Sequence, residues 1–330
     1  MSTLAATHPT LLDFKASLDP DNRVGTTIEM LAQTNEILQD AVFYPSNELT
    51  GHTVMIRTGL PEPAFRKFYG GVQPSKSTRV KVREGLGMME DYSEIDKALA
   101  DLNGNSAAWR AQEESAFVEG FGQKAARYMI YGNEATEPES FTGLAPRFND
   151  QSALNGENIL TSAATPDGND NTSIWLVVWG PNKVFGIYPK GSQAGLQIVD
   201  KGQVTIESAD GGGRMEAYRT HFKWDIGMCV ADWRYVVRIN YDLENVVEDG
   251  TTGPVLSNLM AKALRRVPNL IGRPAFYMNR DSWDAFDLQA NAKATLAYRT
   301  IEDAQGKVTN TFRGVPIRRV DQITSTEAGI

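Results

Sequence analysis

Ala275-Phe276-Tyr277-Met278-Asn279, then Trp283 and Phe286, then Asp303-Ala304-Gln305-Gly306-Lys307, and last Phe312-Arg313-Gly314-Val315-Pro316-Ile317, form the passage on which the reading of the fold turns. The first run is an apolar strand, the aromatics after it sit on a short helix, and the polar, glycine-containing stretch marks a hairpin. Gly314 and Pro316 shape an extended entry to a closing strand. In that strand Val315 and Ile317 face one side, while Arg318, Arg319 and Asp321 stay polar.

Immediately upstream, Leu256, Leu259, Met260, Ala263, Leu264 and Val267 fall on one helical face, with Pro254 suited to the first turn and Pro268 terminating the helix. Strand candidates precede it at Val204–Glu207, Arg214–Trp224 and Cys229–Tyr241. Turns are expected at Asp210-Gly211-Gly212-Gly213 and Asp225-Ile226-Gly227, a spacing that favours antiparallel pairing. Ile174-Trp175-Leu176-Val177-Val178-Trp179 is apolar on both faces and reads as a central strand, following a polar loop from Thr161 to Thr172. Strand and helix signals interleave without a βαβ period or an internal repeat, so the expected class is α+β.

The longest helical signal runs from Ser106 to Tyr131, where Trp109, Ala116, Phe117, Phe121, Ala125 and Tyr128 recur at helical spacing and Gly132-Asn133 supplies a stop. At 1.5 Å per residue it spans roughly 40 Å. Gly120 and Gly122 weaken its middle. Residues 46–87 differ in character. Thr53–Thr58 and Thr78–Arg83 alternate as half-covered strands, with Pro61, Pro63, Gly70, Gly71 and Pro74 between them. Arg57, Arg66, Lys67, Lys76, Arg79, Lys81 and Arg83 face only Glu48, Glu62 and Glu84 there. A long cationic hairpin on an anionic chain suggests docking onto another copy; a solvated surface hairpin gives the same pattern. Thr26 and Glu29 form a capping box for a helix that carries Ile28, Leu31 and Leu38. The residues before it, up to about Asn22, are too sparse in apolar side chains for a core of their own and read as an arm that lies on another surface, expected to be an adjacent copy, or stays mobile.

The chain has 330 residues, 41% hydrophobic and 22% charged, with a formal charge of -8. Those values fit a folded globular protein and argue against one that coats nucleic acid through a basic surface. No apolar run is long enough for a bilayer, the N-terminus lacks a signal-peptide pattern, and the single Cys229 allows no internal disulfide. His8, His52 and His221 have no zinc-ligand spacing, and no nucleophile elbow, phosphate loop or dinucleotide fingerprint occurs. Gly120-Phe121-Gly122 lies inside a helix, and Asp167-Gly168-Asn169-Asp170-Asn171 lacks the calcium-loop spacing. Glu90-Asp91 and Glu113-Glu114 read as solvated carboxylates. The expectation is therefore no catalytic residue, no cofactor and no metal.

The Phe276–Asn279 strand, the Trp283 helix, the hairpin and the Gly314-Val315-Pro316 return resemble the end of a tailed-phage major capsid protein. Asp91-Tyr92-Ser93-Glu94-Ile95-Asp96 through Asn103-Gly104, Tyr131-Gly132-Asn133 through Pro146, and Asn171–Gly180 are similar to short-tailed phage and prophage coat proteins. The resemblance implies the Hong Kong 97-type capsid fold, with connectivity rearranged in some short-tailed members. It suggests an N-terminal arm and helix over 1–45, an extended loop over 46–90, a peripheral subdomain with the spine helix over 91–135, and an axial subdomain with returning peripheral strands over 136–330. It further implies self-assembly as hexamers and pentamers into an icosahedral shell around double-stranded DNA, formed in the bacterial host cytoplasm, with noncovalent locking. A separate scaffolding protein, a portal, a cementing protein and weak, nonspecific contact with the packaged DNA complete the expected partners. Arg57, Arg66, Lys67, Arg79 and Arg83 are the candidate intersubunit contacts. Two competitors remain: an encapsulin-like nanocompartment shell and, from another class, a cytosolic carboxylate-dependent hydrolase.

Overall fold

The computed structural model describes residues 9, 33–102, 106–162, 170–207, 213–246, 253–292, 298–302 and 308–330. In chain order these form helix α1 (Ile37–Asp40) and strands β1 (Phe43–Pro45), β2 (Gly51–Gly59), β3 (Thr78–Gly85) and β4 (Gly87–Asp96). Helices α2 (Lys97–Ala100) and α3 (Ser106–Tyr131) follow, then strands β5 (Ile159–Thr161), β6 (Asn171–Trp179), β7 (Val184–Tyr188), β8 (Gln197–Glu207), β9 (Arg214–Val230) and β10 (Val236–Asp242). Helix α4 (Leu256–Arg266), strand β11 (Arg273–Met278), helix α5 (Arg280–Ala292) and strands β12 (Tyr298–Glu302), β13 (Val308–Phe312) and β14 (Val315–Arg319) close the chain. The capping box at Thr26 and Glu29, the arm apart from Pro9, the turn at Asp210-Gly211-Gly212 and the hairpin at 303–307 lie outside the described residues.

Every residue of β6 is buried. Antiparallel β10 and β11 flank it, as an unbroken apolar run requires when both faces are covered. On the far side of β11 comes parallel β14, then antiparallel β13 and β12. Asn279 explains the Met-Asn ending of β11. Met278 is buried in the core, whereas the Asn279 side chain accepts from the Ser282 N–H at 2.9 Å and so caps α5.

Strand β9 links this core to an outer layer. Its first half lies between β4 and β8 and alternates in exposure; its last residues, beside β7, are buried without alternation. The expected turn at Asp225-Ile226-Gly227 is therefore wrong, because β9 runs straight through it. A Cβ on Gly227 would lie 2.8 Å from the Gly85 carbonyl oxygen. This glycine admits a neighbouring backbone and bends nothing. The expected strand Cys229–Tyr241 is broken instead after Val230, where Asp232 caps a 3-10 turn over Trp233–Tyr235 by accepting from Arg234 N–H. Helix α4 begins after Val255, so Pro254 stands just outside it.

Helix α3 keeps its expected bounds. Trp109, Phe121 and Ala125 are buried as read; Ala126, Met129 and Ile130 join them, and Ala116 is exposed. The helix lies on β9 and β4, with Phe117 stacked on Phe222 at 5.2 Å and Phe121 at 6.2 Å from the same ring. That tertiary packing holds a helix that contains two glycines. Strand β4 was not anticipated as a strand, since its charged run Glu90-Asp91 hides the alternation.

Candidate assembly surface

Strands β2 and β3 form a two-stranded sheet of their own, separate from the twelve-stranded sheet of the other described strands. Their register runs from Gly51 opposite Gly85 to Gly59 opposite Thr78, with an irregularity between Arg57 and Gly59. Thr53–Thr58 and Thr78–Arg83, read from alternation, lie within these strands. At about 3.3 Å per residue the nine residues of β2 carry the chain roughly 30 Å from its root.

Beyond the strands, Phe65 (109% exposed), Phe68 (94%) and Tyr69 (105%) project into solvent. Tyr69 has φ 61°, and the Gly70 N–H donates to the Lys67 carbonyl at 3.0 Å, closing a turn that displays these rings. Exposed aromatics clustered on one projecting turn mark an interaction surface. Arg57 stands directly opposite Arg79, and like charges placed directly across a ladder are unfavourable. Among the described residues, no ion pair or hydrogen bond engages the side chains of Arg57, Arg66, Lys67 or Arg79. Arg83 differs: it donates to Glu48 at 3.4 Å, to the Thr50 carbonyl at 3.2 Å and to the Thr50 hydroxyl at 2.9 Å, within its own chain. The structure thus separates the five candidates, with four free along the hairpin and one serving its base.

At that base the Thr53 hydroxyl, ahead of the nearby Arg83, holds the Glu48 carboxyl below its ordinary pKa. Burial pushes the His52 imidazole down, against the opposing pull of Glu84 and Glu48. The ring lies edge-on to Phe185 at 5.4 Å. Cys229 stands opposite Phe185 across the β7–β9 pairing, and burial pushes its thiol up to about 12.

Clefts of about 560, 410 and 390 Å³ line the flank of α3, and Lys124 borders all of them. Of the carboxylates read as solvated, Glu90 and Asp91 are exposed, and Glu90 and Glu114 also reach neighbouring side chains. Glu90 pairs with Lys223 at 3.5 Å, and Glu114 accepts from the Thr220 hydroxyl at 2.6 Å. His221 stacks on Tyr92 at 4.6 Å, on a different strand from His52. Among the described residues no group of three or more His, Cys, Asp or Glu can hold a metal ion, and no helix is long and apolar enough to cross a membrane.

Residues 19–330 match the family model described as Major capsid protein GP7. A chain of the cryo-EM structure of bacteriophage Epsilon15 is 38% identical, with 100% of this chain and 99% of that one covered and a TM-score of 0.80. The capsid of bacteriophage JBD30 is 10% identical, with 96% and 99% covered and a TM-score of 0.50, a likeness of fold alone. The SrpI encapsulin of Synechococcus elongatus is 11% identical over 65% of this chain and 91% of its own, with a TM-score of 0.41. No curated protein sequence matches.

Proposed function

The chain belongs to the Major capsid protein GP7 family and is a phage major capsid subunit with the Hong Kong 97-type fold; from that premise we propose how it builds its shell. Hexamers and pentamers of the subunit close into an icosahedral container for double-stranded DNA, assembled in the host cytoplasm. A separate scaffolding protein and a portal accompany it. The arm and helix at 1–45 and the extended loop at 46–90 reach neighbouring copies. Residues 91–135, with the spine helix, make the peripheral part, and 136–330 supply the axial part with its returning strands. We read the subunit as a structural protein and not an enzyme, on the strength of its membership of a capsid family.

The observation that carries this reading is the hairpin. Its aromatic turn and its cations at Arg57, Arg66, Lys67 and Arg79 find no partner among the described residues of their own chain, so an acidic, partly apolar surface on a second copy is what they fit. Arg83 contributes from the base, by holding Glu48 and Thr50. Exposed ion pairs are worth only about 0–1 kcal/mol each, and repetition around the shell multiplies them. The test is Arg66→Glu with Lys67→Glu, scored by particle yield across a salt series. Loss of yield with a changed salt dependence is expected. Unchanged yield and salt response would remove the hairpin from the contact.

A further inference from the structure

The strands of the hairpin pair with each other and not with the large sheet, which β3 enters through Leu86 and β4. Side-chain contacts at this root are what can fix the direction in which the hairpin projects. Glu84, the second-to-last residue of β3, is 5% exposed. Both of its carboxylate oxygens meet the Arg147 guanidinium, Oε1 on Nη1 at 2.7 Å and Oε2 on Nη2 at 2.5 Å. Arg147 ends a short 3-10 turn, Ala145–Arg147, beyond the C-terminus of α3. Its Nε donates to the Gly143 carbonyl at 3.0 Å and its Nη2 also to the Thr142 carbonyl at 3.0 Å. That turn is itself fastened to the helix end, for Gly143 N–H donates to Gly132 at 2.8 Å and Leu144 N–H to Met129 at 3.0 Å. On the neighbouring residue a Cβ at Gly85 would lie 2.8 Å from a Glu134 carboxylate oxygen, so β3 is seated directly on the loop after the helix.

We propose that Glu84 and Arg147 are positioning residues, a buried two-pronged latch that fixes the angle between the extended hairpin and the long helix α3. The inference rests on the reading above that the hairpin reaches a second copy, and it assigns what aims it. A planar guanidinium bound through two parallel bonds to one carboxylate, with two further donors on two backbone carbonyls, has a single orientation. Apolar residues of similar size can replace a buried ion pair without loss of stability, but they carry no such direction. The hairpin lengthens the effect: over roughly 30 Å of strand, a tilt of about 10° at the root moves the tip by about 5 Å. Displacement on that scale separates a seated contact from a missed one.

The test uses the full-length unassembled subunit with spin labels on Lys67→Cys at the tip and Lys262→Cys on α4, both exposed, while the buried native Cys229 is spared. Pulsed electron resonance reads the distance distribution between them. A single narrow distribution is expected for the parent. At least a twofold broadening is expected in Arg147→Lys, which keeps the charge and loses the fork, and in the paired Glu84→Met and Arg147→Met variant, which keeps the burial and loses the direction. A broad distribution in the parent overturns the proposal without any root variant, as does a folded methionine pair that keeps the parent's narrow peak. The outcome is independent of the charge-reversal experiment: failure there removes docking by the hairpin tip, while the distance in the unassembled subunit still reports the latch.

Discussion

Arg238 and Glu327, each about 5% exposed at the side chain, pair at 2.7 Å where the C-terminal segment crosses the core. Arg238 also donates to the Phe148 carbonyl at 2.8 Å and to the Ser173 hydroxyl at 2.9 Å, and lies 5.0 Å from the Trp175 ring. Glu327 accepts from Tyr131 and Ser173, and its backbone exchanges two hydrogen bonds with Asn171. One residue near the end of the chain thus ties together α3, β6 and β10. Arg238→Met alone should destabilise the subunit by about 3–5 kcal/mol, since it strands a buried carboxylate; chemical denaturation of unassembled subunit measures it. A second residue-scale prediction concerns Cys229. Burial raises its folded pKa to about 12 from the ordinary thiol value of 9.0, so above pH 9 the unfolded chain loses a proton that the folded chain retains. Its contribution is therefore complete below about pH 9 and lost as pH rises toward 12. Comparing the alkaline unfolding of parent and Cys229→Ala checks the sign: the parent should lose more stability over that window.

At the scale of elements, α3 and the hairpin are stabilised in opposite ways. The helix depends on contacts with the sheet. Phe222, fully buried beneath Phe117 and Phe121, should cost about 3–5 kcal/mol on replacement by alanine. Among the described residues, the aromatic turn of the hairpin packs into no core. Replacing Phe65, Phe68 and Tyr69 together by serine should leave the thermal stability of the isolated subunit within the small range of surface substitutions, about 0.5 kcal/mol per site, while cutting particle yield severalfold. Calorimetry on the subunit and electron microscopy on the product separate the two effects. A fall in subunit stability equal to the loss of yield would place these rings in the subunit's own fold instead.

At the scale of the whole molecule, the formal charge of -8 opposes phosphate, and at physiological salt that repulsion is screened beyond about 8 Å. On the proposed role, the expectation is that confinement by the shell, not affinity, retains DNA. Titrating duplex DNA into unassembled subunit at near-physiological salt should show weak, sequence-independent binding. Submicromolar, sequence-dependent binding would contradict a container.

Periodicity in the sequence alone determined the elements whose pattern is local: the bounds of α3, the doubly apolar β6, the alternating strands of the hairpin with their excess of cations, and the amphipathic α4. Each depends on side-chain spacing within a dozen or so neighbours, which is where hydrophobic patterning is informative. The resemblance that led to the family was carried by the order of short motifs along most of the chain. What only the tertiary structure decided was set by partners remote in sequence. Gly227 reads as a turn until the Gly85 backbone is seen against it, and β4 hides its strand character behind charges that find Lys223, Arg219 and His221 across the ladder. Arg83 looked like its fellow cations until Glu48 and Thr50 proved to hold it. The Glu84–Arg147 latch spans 63 residues and left no spacing to read, because a long-range ion pair is specified by the fold that brings its members together and by no period in the chain.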